Sequence, residues 1–231
     1  MAAPDTEKKS RVARILIVDD HPIMRQGLRD TLIGQHDLEV TDEAECARAA
    51  MKKLTTTQYD LIILDLSFRT GSGGLDLIKD IRARDDQTKI LVFSMHDEML
   101  YAERVIRAGA QGYLNKEVTT AEVLKAVRRV LKGELYLSKR MSDLLLRRTF
   151  DKGRVSDMEA VSTLSDREIE VLELIGKGLR STEIAERLCL SVKTIETHRQ
   201  NMKRKLNLES GALLVRYAVN WVESEGSRLQ G

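Results

Sequence analysis

The chain has 231 residues, 42% hydrophobic and 32% charged, enough apolar matter for two packed domains and too much for a disordered chain. Aromatic residues make up only 4%, which argues against the stacking platforms that grip single strands of nucleic acid. The net charge of +2 is unevenly spread: residues 1–138 carry 21 Lys and Arg against 22 Asp and Glu, and residues 139–231 carry 17 against 14.

The first residues, MAAPDTEKKSRVA, lack the apolar stretch of a signal peptide and read as a loose tail. From there short apolar runs alternate with amphipathic stretches. RILIVDD precedes PIMRQGLRDTLIG, LEVTDEA precedes ECARAAMKKL, and YDLIILDL precedes GGLDLIKDIRAR. KILVFSM then precedes EMLYAERVIRAG, and GYLNKE precedes TTAEVLKAVRRVLKG. The apolar runs are mostly unbroken, as in strands covered by helices on both faces. Five such units predict an α/β fold, a doubly wound five-stranded parallel sheet of flavodoxin-like order, over residues 13–133.

After Gly133 the alternation stops. Residues 134–162 read as a linker, helical in part through LYLSKRMSDLLLRRT. Residues 163–225 show no strand signal. Ser165 and Glu168 form a capping box ahead of DREIEVLELIGKG. STEIAERL, VKTIETHRQNMKRKL and ALLVRYAVNWVE follow, which predicts a small all-α domain of four short helices with a helix-turn-helix at its centre. The two cysteines, Cys46 and Cys189, have neither disulfide nor zinc spacing. They read as small buried hydrophobes in a protein of the reducing cytoplasm. No apolar run is long enough to cross a membrane.

The chemistry gathers at strand ends. Asp19 and Asp20 close the first strand, Asp65 the third, Ser94 the fourth and Lys116 the fifth. In a doubly wound sheet these ends share one edge, where ligands bind. Carboxylates crowded there repel one another unless a cation intervenes, and a hard oxygen-binding ion such as Mg²⁺ suits them. A carboxylate beside such an ion can attack a phosphoryl group, with Lys116 and Ser94 receiving its oxygens.

Asp19-Asp20, Asp65, Ser94 and Lys116, with Tyr113 three residues before the lysine, resemble the signature of response-regulator receiver domains. LSDREIEVLELIGKGLRSTEIAERLCLSVKTIETHRQNMKRKLNL resembles the helix-turn-helix of the NarL/FixJ, or LuxR-type, subfamily. The resemblance implies that Asp65 is the phosphoacceptor and a histidine kinase its donor. It implies Mg²⁺ held by Asp20 directly, by Asp19 through water, and by Asp65 and the Ser67 carbonyl. Ser94 and Tyr113 would form the switch pair, the Tyr113 ring turning inward behind the moving hydroxyl. Ser67 and His96 hold positions that tune phosphoryl hydrolysis in such proteins, although His96 reads more simply as a surface residue. One segment departs from the family: DLSFRTGSGGLDL lacks the usual Met-Pro and has an extra residue, and Gly71, Gly73 and Gly74 would allow movement or positive φ.

In the C-terminal domain VKTIETHRQNMKRKL is the helix expected in the major groove of double-stranded DNA. Ile195, Met202 and Leu206 would face the core. Ser191 and Thr194 sit at its start, where amides favour a phosphate. Glu196 suits a cytosine amino group, Gln200 an adenine and Thr197 a thymine methyl. Lys193, His198, Arg199, Lys203 and Arg204 suit phosphates. Paired half-sites imply a homodimer, formed when phosphorylated. Leu213, Val215, Tyr217 and Trp221 either supply a dimer face or close the domain's core, the core being favoured for Trp221. The sequence thus reads as a phosphorylation-controlled transcription regulator. Two other readings stand beside it: a phosphorylation-independent DNA-binding protein with a vestigial receiver, and a Mg²⁺-dependent aspartyl-phosphate phosphohydrolase, which the missing second acid after Asp65 disfavours.

Overall fold

The computed structural model describes residues 11–68, 73–84, 87–150, 161 and 163–228. The chain divides into two compact units, Met1–Thr149 and Phe150–Gly231.

The first unit is the expected doubly wound sheet. Its strands are β1 (Ala13–Val18), β2 (Leu38–Ala44), β3 (Leu61–Leu64), β4 (Lys89–Ser94) and β5 (Gly112–Asn115). All pair in parallel in the order β2-β1-β3-β4-β5. The helices between and after them are α1 (Pro22–Ile33), α2 (Ala47–Leu54), α3 (Gly74–Arg82), α4 (Glu98–Ala108) and α5 (Thr120–Leu131). Every residue of β3 is buried, as is Ile15–Val18 of β1, because helices cover both faces of the central strands. Edge strand β2 buries only its two ends and carries Thr, Asp and Glu between them. On one face Ile15, Ile17, Leu61, Ile63, Leu91 and Phe93 pack with Val123, Val127 and Val130 of α5. Each such side chain contributes about 1.5–3 kcal/mol when fully buried.

Local signals set the helix ends. Pro22 opens α1, where its missing N–H costs nothing. Asp97 caps α4 by accepting from the Met99 amide, and Gly109 ends it at φ +111. After α5, Gly133 turns the chain back at φ +83. Tyr136 then lies beside β5: its amide donates to the Gln111 carbonyl and its carbonyl accepts from the Tyr113 amide, both at 2.9 Å. Tyr136 is buried in the same core, so the connecting segment begins as part of the first unit. A sixth helix, α6 (Lys139–Phe150), follows, with Met141 buried.

The second unit holds α7 (Asp166–Gly176), α8 (Ser181–Arg187), α9 (Val192–Lys205) and α10 (Gly211–Arg228). The capping box at the start of α7 is present. The last helix runs to 18 residues and is not short. Ile195, Met202, Leu214, Ala218 and Trp221 are buried with Ile169, Leu172 and Ile175. Leu206, expected in the core, is half-buried. Trp221 closes the core, whereas Val215 is exposed. The cysteine expectation fails here: Cys189 is exposed and Cys46 half-buried. Cys189 occupies the turn between α8 and α9 at φ +52, where backbone geometry, not burial, fixes its position.

Candidate functional site

Parallel register places the acids. Val18 pairs with Leu64, so Asp19 and Asp65 leave adjacent strands at one level, with the Asp65 amide donating to the Val18 carbonyl at 2.8 Å. Both carboxylates are buried. Lys116 reaches them from beyond β5: its Nζ lies 2.7 Å from Asp19 Oδ2 and 2.7 Å from Asp65 Oδ2. The lysine side chain is only 3% exposed, so the ammonium is a buried bridge between two buried acids. Its amide donates to the Ser94 carbonyl at 2.9 Å, which fixes the β4 and β5 ends together.

Burial is the largest influence on Asp65 and pushes its carboxyl upward, helped by the Asp19 charge and opposed by Lys116. Burial pulls Lys116 down, but the two carboxylates outweigh it and leave its ammonium above the ordinary value. Asp20 lies beside this group, and ligand atoms of Asp19, Asp20, His21 and Asp65 all fall within 4.8 Å of one another. Three carboxylates against one ammonium leave a net charge of about −2 in a largely buried site, which a divalent cation would balance. The donors are mostly hard oxygens, as Mg²⁺ requires.

The sequence reading did not assign His21 to this cluster. Its amide donates to Asp19 Oδ1 at 2.8 Å, and its Nδ1 lies 2.8 Å from Asp20 Oδ1. Adjacency in Asp19-Asp20-His21 was the available signal. Arg25 was also missed: it donates to the Asp19 carbonyl at 2.6 Å and holds Glu43, which ties α1 to the acid pocket.

Around the mouth, Ser67 donates its amide to Asp65 Oδ1 at 3.3 Å, and its hydroxyl lies 2.6 Å from His96 Nε2. His96 is therefore half-buried and engaged, not a plain surface residue, and its ring lies 4.5 Å from that of Tyr101. Ser94 is fully buried and its hydroxyl accepts from the His96 amide at 3.3 Å. Tyr113 is turned inward, 1% exposed, and donates its hydroxyl to the His96 carbonyl at 2.8 Å. Burial raises the Tyr113 hydroxyl well above its ordinary value, so it stays a donor.

Of the glycine-rich loop, Gly71 lies outside the described residues. Gly73 has φ −68 and is not in the positive-φ region. Gly74 is required for space: a Cβ there would stand 2.4 Å from the Asp65 carbonyl oxygen and 2.6 Å from Leu66 Cα. Helix α3 thus begins in direct backbone contact with the residue that carries the Asp65 carboxylate.

In the second unit α9 presents Lys193, Glu196, Thr197, Gln200 and Arg204 to solvent, while Thr194, His198, Arg199 and Lys203 are half-buried. The Ser191 hydroxyl caps α9 through the Thr194 amide at 3.0 Å, so that amide is already satisfied. Glu196 accepts from the Ser181 hydroxyl at 2.6 Å and lies 3.7 Å from the Arg199 guanidinium, which braces α9 against the start of α8. The Thr197 hydroxyl bonds back to the Lys193 carbonyl at 2.9 Å. His198, expected at a phosphate, is half-buried. Burial lowers its imidazole below the ordinary value, and it faces the charges of Glu168 and Arg167.

Residues 15–128 match the response regulator receiver domain family, and residues 162–218 match the bacterial regulatory proteins of the luxR family. Over 212 residues the chain is 38% identical to the oxygen regulatory protein NreC of Staphylococcus carnosus, covering 89% of this chain and 96% of that one. This chain belongs to the NarL/FixJ-type response regulators. Among solved structures, RcsB of Salmonella typhimurium superposes with a TM-score of 0.65 at 28% identity, over 91% of this chain and 98% of that one. RcsB of Salmonella enterica serovar Typhimurium, bound to promoter rprA with the phosphomimetic BeF3⁻, gives 0.62 at 27% identity, over 90% and 99%. The response regulator is accordingly a phosphorylation-controlled, DNA-binding transcription regulator, and its relatives are transcription regulators. Among the described residues no helix is long and apolar enough to cross a membrane.

Proposed function

We propose that Asp65 is the phosphoacceptor and that a histidine kinase in the cytoplasm supplies the phosphoryl group. One Asp65 carboxylate oxygen attacks phosphorus as the bond from phosphorus to the donor imidazole nitrogen breaks. The observation that carries this reading is the buried Lys116 ammonium, 2.7 Å from both Asp19 and Asp65. A phosphoryl group on Asp65 would draw Lys116 toward its oxygens and leave Asp19 to a metal ion. Asp19, Asp20, Asp65 and the Ser67 carbonyl would hold Mg²⁺, which neutralises the approaching phosphate. Ser94 would donate its hydroxyl to a phosphoryl oxygen, giving up its contact with the His96 amide, and the inward Tyr113 ring fills the space behind it.

Residues 13–133 serve as the receiver, 134–162 as the connector, whose Tyr136 packs in the receiver core, and 163–225 as the DNA-binding domain. Double-stranded promoter DNA is met by α9. Gln200 and Thr197 are the base readers, with Glu196 restrained by Ser181. Lys193, Arg199, Lys203 and Arg204 neutralise phosphates, Thr194 lies beside the helix start, and the phosphorylated protein acts as a homodimer on paired half-sites.

Intact mass after incubation with Mg²⁺ and a small phosphoryl donor tests this. One added phosphoryl group is expected, absent in Asp65→Asn and in chelator. Incorporation that persists in Asp65→Asn would remove the assignment.

A further inference from the structure

Helix α9 carries a single acid, Glu196, among Lys193, Arg199, Lys203, Arg204 and Lys205. At about 100° per residue, Lys193, Glu196, Thr197, Gln200 and Arg204 fall within one third of the helix circumference, and all five are exposed. Buried Ile195 and Met202 hold the opposite side. Glu196 therefore stands in the face that meets DNA, where its charge opposes every phosphate nearby and weakens sequence-independent binding. Its pairing with Arg199 does not account for it. The two groups lie 3.7 Å apart with the Glu196 side chain 52% exposed, and such pairs contribute little.

The carboxylate is nonetheless held. The Ser181 hydroxyl donates to Glu196 Oε1 at 2.6 Å from the first residue of α8. That anchor is firm: the Arg180 amide donates to Glu183 at 2.7 Å, and Ile184 and Ala185 are buried in the domain's core. The Arg199 guanidinium approaches the same oxygen, Oε1. Glu196 Oε2 is left without a partner among the described residues. A carboxylate can only accept. In the major groove the donors are the amino groups of cytosine and adenine, and adenine sets the acceptor N7 beside its own. Guanine and thymine meet the carboxylate with acceptors on N7 and O6 or on O4. A free glutamate loses rotamer freedom when it docks on a base, and the Ser181 bond has already removed part of that freedom.

We propose that Ser181 is a specificity-determining positioning residue, which holds Glu196 so that Oε2 accepts from a cytosine amino group in the major groove. The inference rests on the reading of α9 as the DNA-facing helix and adds a third base reader to Thr197 and Gln200. Ser181 itself touches no base; it acts through Glu196 alone.

The test lets the full chain, with Mg²⁺ and beryllofluoride, select sites from a randomised double-stranded DNA library. The selected duplex is then permuted one base pair at a time in binding titrations. The wild type should prefer cytosine over thymine about tenfold or more at one position of each half-site. Glu196→Ala should abolish that preference, and Ser181→Ala should cut it to about threefold or less. Ser181→Thr, which keeps the hydroxyl, should retain it. Adding Ser181→Ala to Glu196→Ala should change nothing further. Glu196→Gln tests the clamp with Ser181 intact: the hydroxyl on Oε1 leaves the amide nitrogen in the place of Oε2, so the preference should move from cytosine to a base with an acceptor there. A cytosine preference kept in Glu196→Gln overturns the proposal, and so does one untouched by Ser181→Ala. A loss in Ser181→Ala that is equal for all four bases, or that recurs in full in the Glu196→Ala background, marks a purely structural role and also overturns it. Selectivity that Gln200→Ala removes and Glu196→Ala does not overturns the proposal alone. A wild-type chain that binds every duplex alike overturns it together with the reading of α9.

Discussion

The Tyr113 amide donates to the Tyr136 carbonyl at 2.9 Å, so the proposed switch tyrosine and the connector to the DNA-binding domain share a backbone hydrogen bond. Tyr136 is further fixed by its hydroxyl on Glu122 and by the Arg129 guanidinium 5.4 Å from its ring centre. Two residues on, the Ser138 amide donates to Glu98 at the start of α4. Tyr113 and Glu98 thus both hold the start of the connector through its backbone.

Tyr136→Ala should destabilise the receiver by about 3–5 kcal/mol, the usual cost of removing a buried ring. Tyr136→Phe keeps the ring and loses one hydrogen bond, about 1 kcal/mol. Urea unfolding of the two variants separates packing from polar contact. Equal losses would contradict the core placement of Tyr136.

Lys116→Met should cost about 3–5 kcal/mol, because it leaves Asp19 and Asp65 buried without their ammonium. Added Mg²⁺ should restore part of that loss, since a ligand of the native state stabilises by mass action. Melting curves with and without the ion measure it. A loss indifferent to Mg²⁺ would argue against the acid cluster as a cation site.

A methyl group at position 74 would meet the Asp65 carbonyl oxygen at 2.4 Å. Gly74→Ala is expected to cost about 1–3 kcal/mol, as overpacking does. It should also slow phosphoryl incorporation, because relief of the clash moves the backbone of Asp65. Wild-type incorporation rates in a destabilised variant would separate the packing role from the site.

Glu168 accepts from the Ser165 amide at 2.6 Å and from Lys205 Nζ at 2.7 Å. Burial pushes its carboxyl up, but the Lys205 and Ser165 bonds outweigh burial and leave it below the ordinary value. With the folded value depressed, the contribution is present above about pH 4.3, the unfolded value, and is lost as pH falls through the folded one. Glu168→Gln should lower stability by about 1–3 kcal/mol at pH 7 and flatten this acid limb. Chemical unfolding of the C-terminal domain at several pH values reads both effects.

On α9, Arg204→Ala should weaken DNA binding evenly across sequences and reduce the slope of log affinity against log salt by about 1. Gln200→Ala should relax preference at one base pair at a cost of about 1–3 kcal/mol. Binding titrations at several salt concentrations distinguish the two. A changed base preference in Arg204→Ala would reverse the assignment.

The strand–helix alternation, the capping box at Ser165 and the acids at strand ends were legible in the sequence, because each is a local pattern. Apolar runs, Asp-Asp after Val18 and Ser-x-x-Glu carry their meaning within a few residues. Tertiary structure alone decided the rest. Only the sheet register brings Lys116 onto Asp19 and Asp65, partners 97 and 51 residues away. Gly74 reads as a flexible loop residue until the approach of Asp65 is seen. Tyr136 reads as linker until β5 offers it an unpaired edge. That His198 lies half-buried against the charges of Glu168 and Arg167 is likewise visible only in the fold. Cys189 reads as a buried hydrophobe until the turn sets it outside at φ +52. Sequence records which groups a chain carries; distance and burial, which set their charge and partners, arise only when segments remote in the chain pack together.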